Sequence, residues 1–593
     1  MGREFFTTMG RKVGELLNDV KNGRIGLPDL QRPFVWKDNK VRDLLDSMLK
    51  GFPIGYVMLW ESPYGFENKI QIGNNSKDFI TSSDLVIDGQ QRLTALLAAL
   101  KGIAVKDVNY KERIIRISYH PLKREFQVWS QAYEKSPEWI SSISDVFVAK
   151  DNNTISRFRR TYINSINERR LKDGNIELSE EEELLIEDNI NDLLTLMDYT
   201  MPTLLIRENA SEEDVSEIFV RVNSGGQNLT EKNFIETLLA VYDNDIHKKI
   251  NDFCRDSRIP QEGTSYNHII EVDPVHIIRT TVGLAFKRAK LKYAYMLLRG
   301  KDLDTRTITN EMREKNFLKF KEALDSVINL NYWHGFMNIV KNSGYLKSSL
   351  IRSYNAVMYS YMIYLIGKLE YKVPSVELNK LMTRWFFMVT ICRYYTTDSP
   401  ETKVEKQLAD MRNIATADKF VNFLDDEINN QFTEAFFNHT LIEELKTSST
   451  NSPAWFGFIA SQNVLGYQML FSKTPISNFF IIGSHGKKSA IDIHHIFPKH
   501  YLETIGINDD RYRNQIANYT YLDYATNITI SDNPPRTYIA EFRNRLSEED
   551  FKLACMQNAL PENIEKLEYL DFLTKRRELM AKLIHKAYLK LSE

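Results

Sequence analysis

The sequence predicts an α+β protein with several domains, and three observations support that prediction. The chain has 593 residues, long enough for roughly three to four domains of ordinary size. Short apolar runs bounded by turn signals occur in the N-terminal and C-terminal parts, and they are typical of strands. Residues 246–446 are amphipathic and poor in turn signals, which indicates helices. We therefore expect an α/β domain at 1–245, a helical domain at 246–446, and strands embedded in helices at 447–593.

Composition narrows the class of protein. Hydrophobic residues make up 43% of the chain and aromatic residues 11%, which is enough for folded cores. The 77 lysines and arginines nearly balance the 79 acidic residues, so net charge neither requires nor excludes a nucleic-acid partner. Cys254, Cys392 and Cys555 are too scattered for a disulfide framework. We see no signal peptide and no apolar run of roughly 20 residues, and so expect a cytoplasmic protein without a membrane partner.

Residues 85–97 combine a strand signal, a turn signal and a helix signal. The apolar run 85–87 predicts a buried strand, Asp88-Gly89 predicts a turn, and leucines spaced from Leu93 onward predict a helix. The start of a helix favours anions, and the guanidinium of Arg92 can grip phosphate oxygens. Candidate binding residues here are Asp88, Gly89, Gln90, Gln91 and Arg92. The alternative is an ordinary strand–turn–helix in which Asp88 caps the helix.

Two other polar segments flank this stretch in the sequence. Residues 27–36 contain two prolines, which favour an extended segment that holds Gln31 and Arg32 rigidly. Residues 223–226 read Asn-Ser-Gly-Gly, and the backbone N–H groups around Gly225 and Gly226 can form an anion-binding nest. A glycine pair alone is weak support for a binding site.

A second group of polar residues lies between 485 and 530, where four of the eleven histidines occur in a short window. Alternating apolar residues at 491–498 predict a strand that carries His494 and His495. Neighbouring strand residues point to opposite faces, so one imidazole can bind a metal while the other faces a substrate. The order His-His, then Asn518, then Asn527 nine residues later is that of an HNH, or ββα-metal, nuclease.

The residue types fit phosphodiester hydrolysis. That reaction needs a water nucleophile, a base to deprotonate it, and a cation for the leaving oxygen. A neutral imidazole suits the base, and the amide oxygen of Asn527 suits a hard divalent ion. His494 fills the position of the other metal ligand, and its imidazole also suits transition metals. The alternative is a pair of core or structural-zinc histidines, although no cysteine pair accompanies them.

Together the two groups of motifs resemble the GmrSD-type family of modification-dependent, type IV-like restriction and phage-defence enzymes. In that family a ParB-like N-terminal domain carries a DGQQR motif and a C-terminal HNH domain cuts DNA. The similar segments are 31–36 (QRPFVW), 88–94 (DGQQRLT), 223–226 (NSGG), 494–498 (HHIFP), and those around Asn518 and Asn527. The middle helices carry no motif that we can match. The resemblance implies a nucleotide-binding domain at 1–245 and an HNH nuclease domain at 447–593.

The resemblance also implies roles for individual residues. A nucleoside triphosphate would be bound, and hydrolysed, by Arg32, Asp88, Gly89, Gln90, Gln91, Arg92, Asn223, Gly225 and Gly226. His495 would be the general base, Asn518 would orient the loop and the base, and His494 with Asn527 would hold Mg²⁺ or Mn²⁺. Lys499 and Arg536 would contact DNA. The implied function is a nucleotide-regulated, metal-dependent endonuclease that acts on modified or foreign double-stranded DNA, such as phage DNA.

Two other functions fit the same architecture. One is an NTPase that senses a backbone modification such as phosphorothioate and nicks DNA that lacks the mark. The other is a ParB-like DNA-binding regulator with an inert nuclease domain, which the intact His495 and Asn527 disfavour. No coiled-coil heptad marks a dimer seam, so the sequence leaves a homodimer open.

Overall fold

The computed structural model describes residues 5–26, 34–68, 80–107, 111–210, 244–298, 300–302, 307–396, 399–480, 491–530 and 532–593, and isolated positions between them. The chain divides into two compact units, Met1–Asn251 and Asp252–Glu593. The fold is mixed, 61% helical with a small sheet in the N-terminal part, which confirms the predicted combination of helices and strands. Among the described residues, no helix is both long and apolar enough to span a membrane. The predicted three-domain division stays a prediction.

The first unit is built on a mixed five-stranded sheet. The strands of the unit, in chain order, are β1 (Phe6–Lys12), β2 (Ile25–Gly26), β3 (Val57–Asn68), β4 (Ile80–Asp88), β5 (Val105–Lys106), β6 (Glu112–Arg113), β7 (Ile117–His120), β8 (Glu125–Val128) and β9 (Thr200–Ile206). Of these, β5–β6 and β7–β8 form separate pairs outside the five-stranded sheet. The sheet order is β1-β9-β3-β4-β2, with antiparallel β1–β9 and β3–β4 pairs and parallel β9–β3 and β4–β2 pairs. β7 pairs antiparallel with β8.

Helices cover this sheet and extend from it. They are Val13–Lys21, Asp38–Leu49, Gln90–Lys101, Gln131–Lys135, Ile143–Asp151, Ile155–Lys172 and Glu180–Leu194, followed by the 3₁₀ turn Thr195–Asp198. Ser179 and Glu182 form a capping box at the start of the helix Glu180–Leu194.

The helix Gln90–Lys101, called here the motif helix, differs from its prediction in one respect. The leucine spacing predicts one buried face, yet every residue from Leu93 to Leu100 is buried. Ala95, Ala98 and Ala99 fill the other side of the helix, so it is apolar on all sides and lies inside the core. The buried strand predicted at 85–87 is the end of β4. The turn between them is therefore anchored at both ends in the core.

The second unit is mainly helical. The helices are Asn244–Asp256, which spans the boundary between the units, and Pro274–Phe286, Leu291–Leu298, Asn310–Val327, Leu330–Asn342, Tyr354–Leu369, Ser375–Ile391, Pro400–Met411, Ala417–Gln431, Leu441–Glu444, Pro453–Leu465, Lys499–Thr504, Asp510–Arg513, Tyr524–Ile530, Pro535–Arg545, Glu548–Gln557 and Tyr569–Ser592. Short 3₁₀ turns lie at Ser348–Leu350, Ile476–Phe480, Ile516–Asn518 and Ile564–Lys566, and Phe436–Thr440 forms a π turn.

Large aromatic side chains form the core of this unit. Trp333, Trp385 and Trp455 are almost completely buried. The helix Ser375–Ile391, from the predicted middle domain, packs against Pro453–Leu465 and Tyr569–Ser592 from the predicted C-terminal domain. These contacts make one packed body of the helices.

Two short strands in the second unit carry the histidines. β10 (Ile491–His495) pairs antiparallel with β11 (Tyr519–Asp523), and β10 confirms the strand predicted to carry His494 and His495. In the register of the pair, His494 lies opposite Thr520 and His495 opposite Tyr519. The helix Tyr524–Ile530 follows β11 directly and packs on both strands. The local order is thus strand, strand, helix.

Candidate functional site

The turn at residues 88–92, called here the motif turn, requires a glycine at its second position. β4 ends at Asp88, Gly89 has φ of 94°, and the motif helix begins at Gln90. A Cβ at Gly89 would lie 3.1 Å from Val57 Cγ2 and 3.3 Å from the Tyr56 carbonyl oxygen. Both the left-handed backbone and the close approach of β3 exclude a larger residue. The turn predicted from Asp88-Gly89 is confirmed.

Arg92 is held on three sides. Its Nη1 donates to the Tyr56 carbonyl oxygen, and its Nη2 lies 4.0 Å from Asp88 Oδ2. Gly55 forms the third side, since a Cβ there would lie 2.9 Å from Arg92 Nη1. The side chains of Arg92 and Asp88 are each 21% exposed, so solvent still reaches both. These contacts orient the Arg92 guanidinium before any ligand binds. A bound anion and Asp88 would both interact with it.

The glutamines tie the motif turn to its surroundings. Gln90 Nε2 donates to the Val86 carbonyl oxygen at 2.8 Å, and Gln91 Oε1 accepts from the Val35 backbone N–H at 3.4 Å. Val35 belongs to the segment 31–36, so these two sequence motifs meet in the fold. No described side chain caps the motif helix, and its first turn has no acidic residue. The helix N-terminus is therefore electrostatically suited to an anion.

Four of the predicted nucleotide-binding residues lie outside the described residues. They are Arg32, Asn223, Gly225 and Gly226. The described part of this candidate site is the motif turn with its supports at Gly55, Tyr56 and Val35.

The second candidate site, called here the histidine site, consists of His494, His495, Asn514, Asn518 and Asn527. The ββα order brings the Asn527 side chain next to the His494 ring, although 33 positions separate them in sequence. His494 Nε2 is buried and has no hydrogen-bond partner among the described residues. A buried nitrogen without a partner is unfavourable unless something else binds it.

The surroundings of His494 keep its imidazole neutral. Burial, assisted by the neighbouring His495, lowers the pKa of His494 to about 4, although Asn527 and Asp532 oppose the shift. A neutral imidazole offers a lone pair to a metal. His494 and Asn527, with the Asp532 carboxylate nearby, provide nitrogen and oxygen donors that fit a divalent cation. Within the described ranges, no group of three His, Cys, Asp or Glu residues forms a complete site, so Asn527 and water or substrate oxygens would have to contribute.

His495 is oriented by Asn514. His495 Nε2 lies 3.1 Å from Asn514 Oδ1, and Asn514 Nδ2 donates to Asp510 Oδ1 at 3.3 Å. The Asp510 carboxylate only accepts, which fixes the orientation of the amide and assigns the His495 proton to Nε2. The other ring nitrogen, Nδ1, makes no hydrogen bond to a described residue and keeps its lone pair. Burial lowers the pKa of His495, so the ring is neutral at pH 7 and can accept a proton.

Asn518 fixes the loop that follows β10. Its side chain is completely buried. Its Oδ1 accepts from the Phe497 backbone N–H at 2.8 Å, and its Nδ2 donates at 3.1 Å to the carbonyl oxygens of Phe497 and Arg513. With every polar atom engaged by backbone, Asn518 is suited to orient the loop, which is the role expected from the sequence.

Two supporting residues escape the sequence-based prediction. Asn514 is one, and Arg576 of the helix Tyr569–Ser592 is the other. Arg576 is 0% exposed, and its guanidinium donates to the Ala517 carbonyl oxygen at 2.8 Å and to that of Asn558 at 3.4 Å. Burial lowers its pKa to about 9. Arg576 therefore holds the 3₁₀ turn Ile516–Asn518 in place through the Ala517 carbonyl oxygen. Neither residue belongs to a recognisable motif, so only the tertiary contacts reveal them.

The predicted DNA-contacting residues lie at the starts of two helices. Lys499 begins the helix Lys499–Thr504, and its Nζ lies 3.5 Å from Asp510 Oδ1. Arg536 is exposed in the first turn of Pro535–Arg545. Both side chains are accessible enough to meet a phosphate backbone.

Residues 13–240 match the family model described as GmrSD restriction endonuclease, N-terminal domain. The match supports a GmrSD-type restriction family. The matched residues contain three of the segments that resemble this family in the sequence, namely 31–36, 88–94 and 223–226. An uncharacterized protein of Methanocaldococcus jannaschii is 22% identical over 559 residues, which cover 89% of this chain and 87% of that protein. The likeness to that protein thus extends across both units, whereas the GmrSD match covers the first.

Proposed function

We propose that the protein is a metal-dependent DNA endonuclease of a restriction or phage-defence system, and that it cleaves DNA at the histidine site. One observation carries the proposal. His495 holds a neutral imidazole with a free Nδ1, and the preceding residue, His494, presents an unpartnered Nε2 beside Asn527. A proton acceptor next to a pair of cation ligands is the combination that phosphodiester hydrolysis requires.

The roles follow from the geometry of each side chain. His495 Nδ1 accepts a proton from the attacking water, while Asn514 holds the ring through Nε2. His494 Nε2 and the Asn527 side chain hold a divalent cation. When bound, that cation stabilises negative charge on the phosphate and the leaving oxygen. Asn518 keeps the loop after His495 in place, and Lys499 and Arg536 bind the flanking DNA backbone.

The first unit adds control by a nucleoside triphosphate. The uncapped N-terminus of the motif helix and the pre-oriented Arg92 support a phosphate-binding role for the motif turn. Asp88 lies close enough to organise a cation or a water beside the phosphates. Nucleotide binding or hydrolysis at this turn would license cleavage of modified or foreign DNA in the second unit.

Cleavage assays with the purified full-length chain test the proposal. We expect plasmid DNA to be cut or nicked only with a divalent cation, and the rate to depend on DNA modification and on added nucleoside triphosphate. Plasmids that carry base modifications, phosphorothioate linkages or neither would separate a modification-dependent endonuclease from a nickase directed at unmarked DNA. Sequence-independent DNA binding without cleavage under any of these conditions would favour an inert nuclease domain.

Substitutions in the motif turn test the nucleotide site separately. Arg92→Lys keeps the charge but removes the planar fork, and Asp88→Asn removes the negative charge while keeping the shape. Both should reduce nucleotide binding or turnover, whereas Arg169→Gln, at a solvent-exposed ion pair of the same unit, should leave it unchanged. Unaltered nucleotide turnover in both motif variants would contradict this assignment.

A further inference from the structure

A cavity of about 400 Å³ in the second unit belongs to neither candidate site. The segment 447–453 and the ends of several helices line it. Its lining includes Arg352 and Arg393 and several hydroxyl groups, but no Asp or Glu among the described residues. A cavity with two cations and no lining carboxylate concentrates positive potential.

Two helix N-termini add to that potential. Ser353 caps the helix Tyr354–Leu369 by accepting from the Ala356 N–H, and Ser452 caps Pro453–Leu465 by accepting from the Trp455 N–H. Both serines line the cavity. The positive ends of two long helices therefore meet at the same space, where they favour an anion.

A buried hydroxyl in the wall of the cavity is left without a partner. Tyr345 is 0% exposed, and its hydroxyl makes no hydrogen bond among the described residues. Its polar neighbour Thr390 donates its own proton to the Phe386 carbonyl oxygen at 2.6 Å. Burial raises the pKa of Tyr345 above its usual range, so the hydroxyl stays protonated and is available as a donor. A buried donor of this kind calls for an acceptor in the cavity.

The two guanidinium groups are also available. Arg352 and Arg393 are exposed, and within the described part of the chain neither forms an ion pair. Burial raises the pKa of the Glu444 carboxyl, and the nearby Arg393 opposes that rise. No hydrogen bond joins the two side chains, so the Arg393 fork remains open to an oxyanion ligand.

We propose that this cavity binds a phosphate group through Arg352, Arg393 and the Tyr345 hydroxyl. Arginine forks match phosphate oxygens in pairs, and the volume accommodates a phosphate with an attached sugar. The phosphate belongs either to the DNA backbone or to a free nucleotide or inorganic phosphate. The segment 447–453 links the cavity to the histidine site, because the Thr447 carbonyl oxygen accepts from the Ile516 N–H at 2.8 Å. Binding here does not depend on the proposed nuclease activity.

The proposal is tested by binding to inorganic phosphate and to DNA without divalent cations, so that cleavage plays no part. Phosphate should raise the melting temperature of the full-length protein more than chloride does at equal ionic strength. Arg352→Gln/Arg393→Gln should abolish that difference, and Tyr345→Phe should weaken phosphate binding by about threefold to tenfold. Arg545→Gln, at a surface ion pair of the same unit, is the matched control and should behave like wild type.

The salt dependence of binding to a short duplex then identifies the source of the phosphate. If DNA supplies it, the double variant should lower the slope of log affinity against log salt by about 0.9 for each DNA phosphate that it no longer neutralises. A phosphate effect with an unchanged DNA slope also supports the proposal and assigns the cavity to a free phosphate or nucleotide. The proposal is overturned if wild type shows no phosphate-specific stabilisation and the double variant leaves the DNA slope unchanged.

Discussion

Asn514 and His495 form a directional pair: Asn514 Oδ1 lies 3.1 Å from His495 Nε2, and Asp510 fixes the amide from its other side. This chain of contacts sets the tautomer of the imidazole and leaves Nδ1 as its proton acceptor. Tyr519, the cross-strand neighbour of His495, contacts the ring edge-on with centroids 4.7 Å apart. The proposed base is therefore held by a hydrogen bond and by an aromatic contact.

Asn514→Ala should slow cleavage without unfolding the protein. Loss of the hydrogen bond frees the ring and its tautomer, and we expect a fall in kcat of about 10- to 100-fold with KM little changed. Steady-state cleavage kinetics measure both constants. Asn413→Ala, at an exposed turn of the same unit, is the control and should retain wild-type kinetics. Equal kcat values for Asn514→Ala and wild type would argue against an orienting role.

Arg576→Met should destabilise the second unit and impair cleavage together. The substitution preserves much of the volume but leaves the buried carbonyl oxygens of Ala517 and Asn558 without their donor, at a cost of about 1–3 kcal/mol. Urea unfolding measures the loss of stability. The exposed Arg545→Met should change stability by less than about 1 kcal/mol. If Arg576→Met were as stable and active as wild type, the anchoring role of the guanidinium would be wrong.

The sequence predicts the strands and the turn that form both sites, but it does not predict the side chains that hold them in place. The apolar run at 85–87 and Asp88-Gly89 identify the motif turn, because strand and turn signals are local. The alternation around His494 identifies β10 for the same reason. Asn514 and Arg576 give no local signal, and Arg576 lies between Lys575 and Arg577, where a basic run looks like a solvated helix face. Only packing of the helix Tyr569–Ser592 against the turn Ile516–Asn518 shows that this arginine is buried.

Two glycines near the motif turn provide a matched pair of variants. Gly55 and Gly51 have φ of +90° and +71°, but only a Cβ at Gly55 would meet a neighbour, at 2.9 Å from Arg92 Nη1. Gly51→Ala should cost about 1–2 kcal/mol from backbone strain alone. Gly55→Ala should cost about 1–3 kcal/mol more, because Arg92 must move. Chemical unfolding of both variants tests the difference, and equal losses would mean that Gly55 does not support Arg92.

His120 should make the first unit sensitive to acid. It is 2% exposed, and burial, assisted by Lys123, lowers its pKa below that of an unfolded histidine. The unfolded state therefore binds the proton more tightly, so stability is retained above about pH 6.5 and is lost as the pH falls below it. Thermal unfolding at neutral and mildly acidic pH should show a larger drop for wild type than for His120→Phe. An identical drop in melting temperature in both proteins would mean that other groups cause the acid sensitivity.

Divalent-cation-dependent plasmid cleavage by wild type and by His495→Ala tests most directly whether DNA is cut at the histidine site. Loss of the proton acceptor should reduce the cleavage rate by about 10²- to 10⁴-fold, while circular dichroism and DNA binding remain unchanged. His439→Ala, at an exposed histidine of the same unit, should cut like wild type. Cleavage by His495→Ala at the wild-type rate would contradict the assignment of the histidine site as the place where DNA is cut.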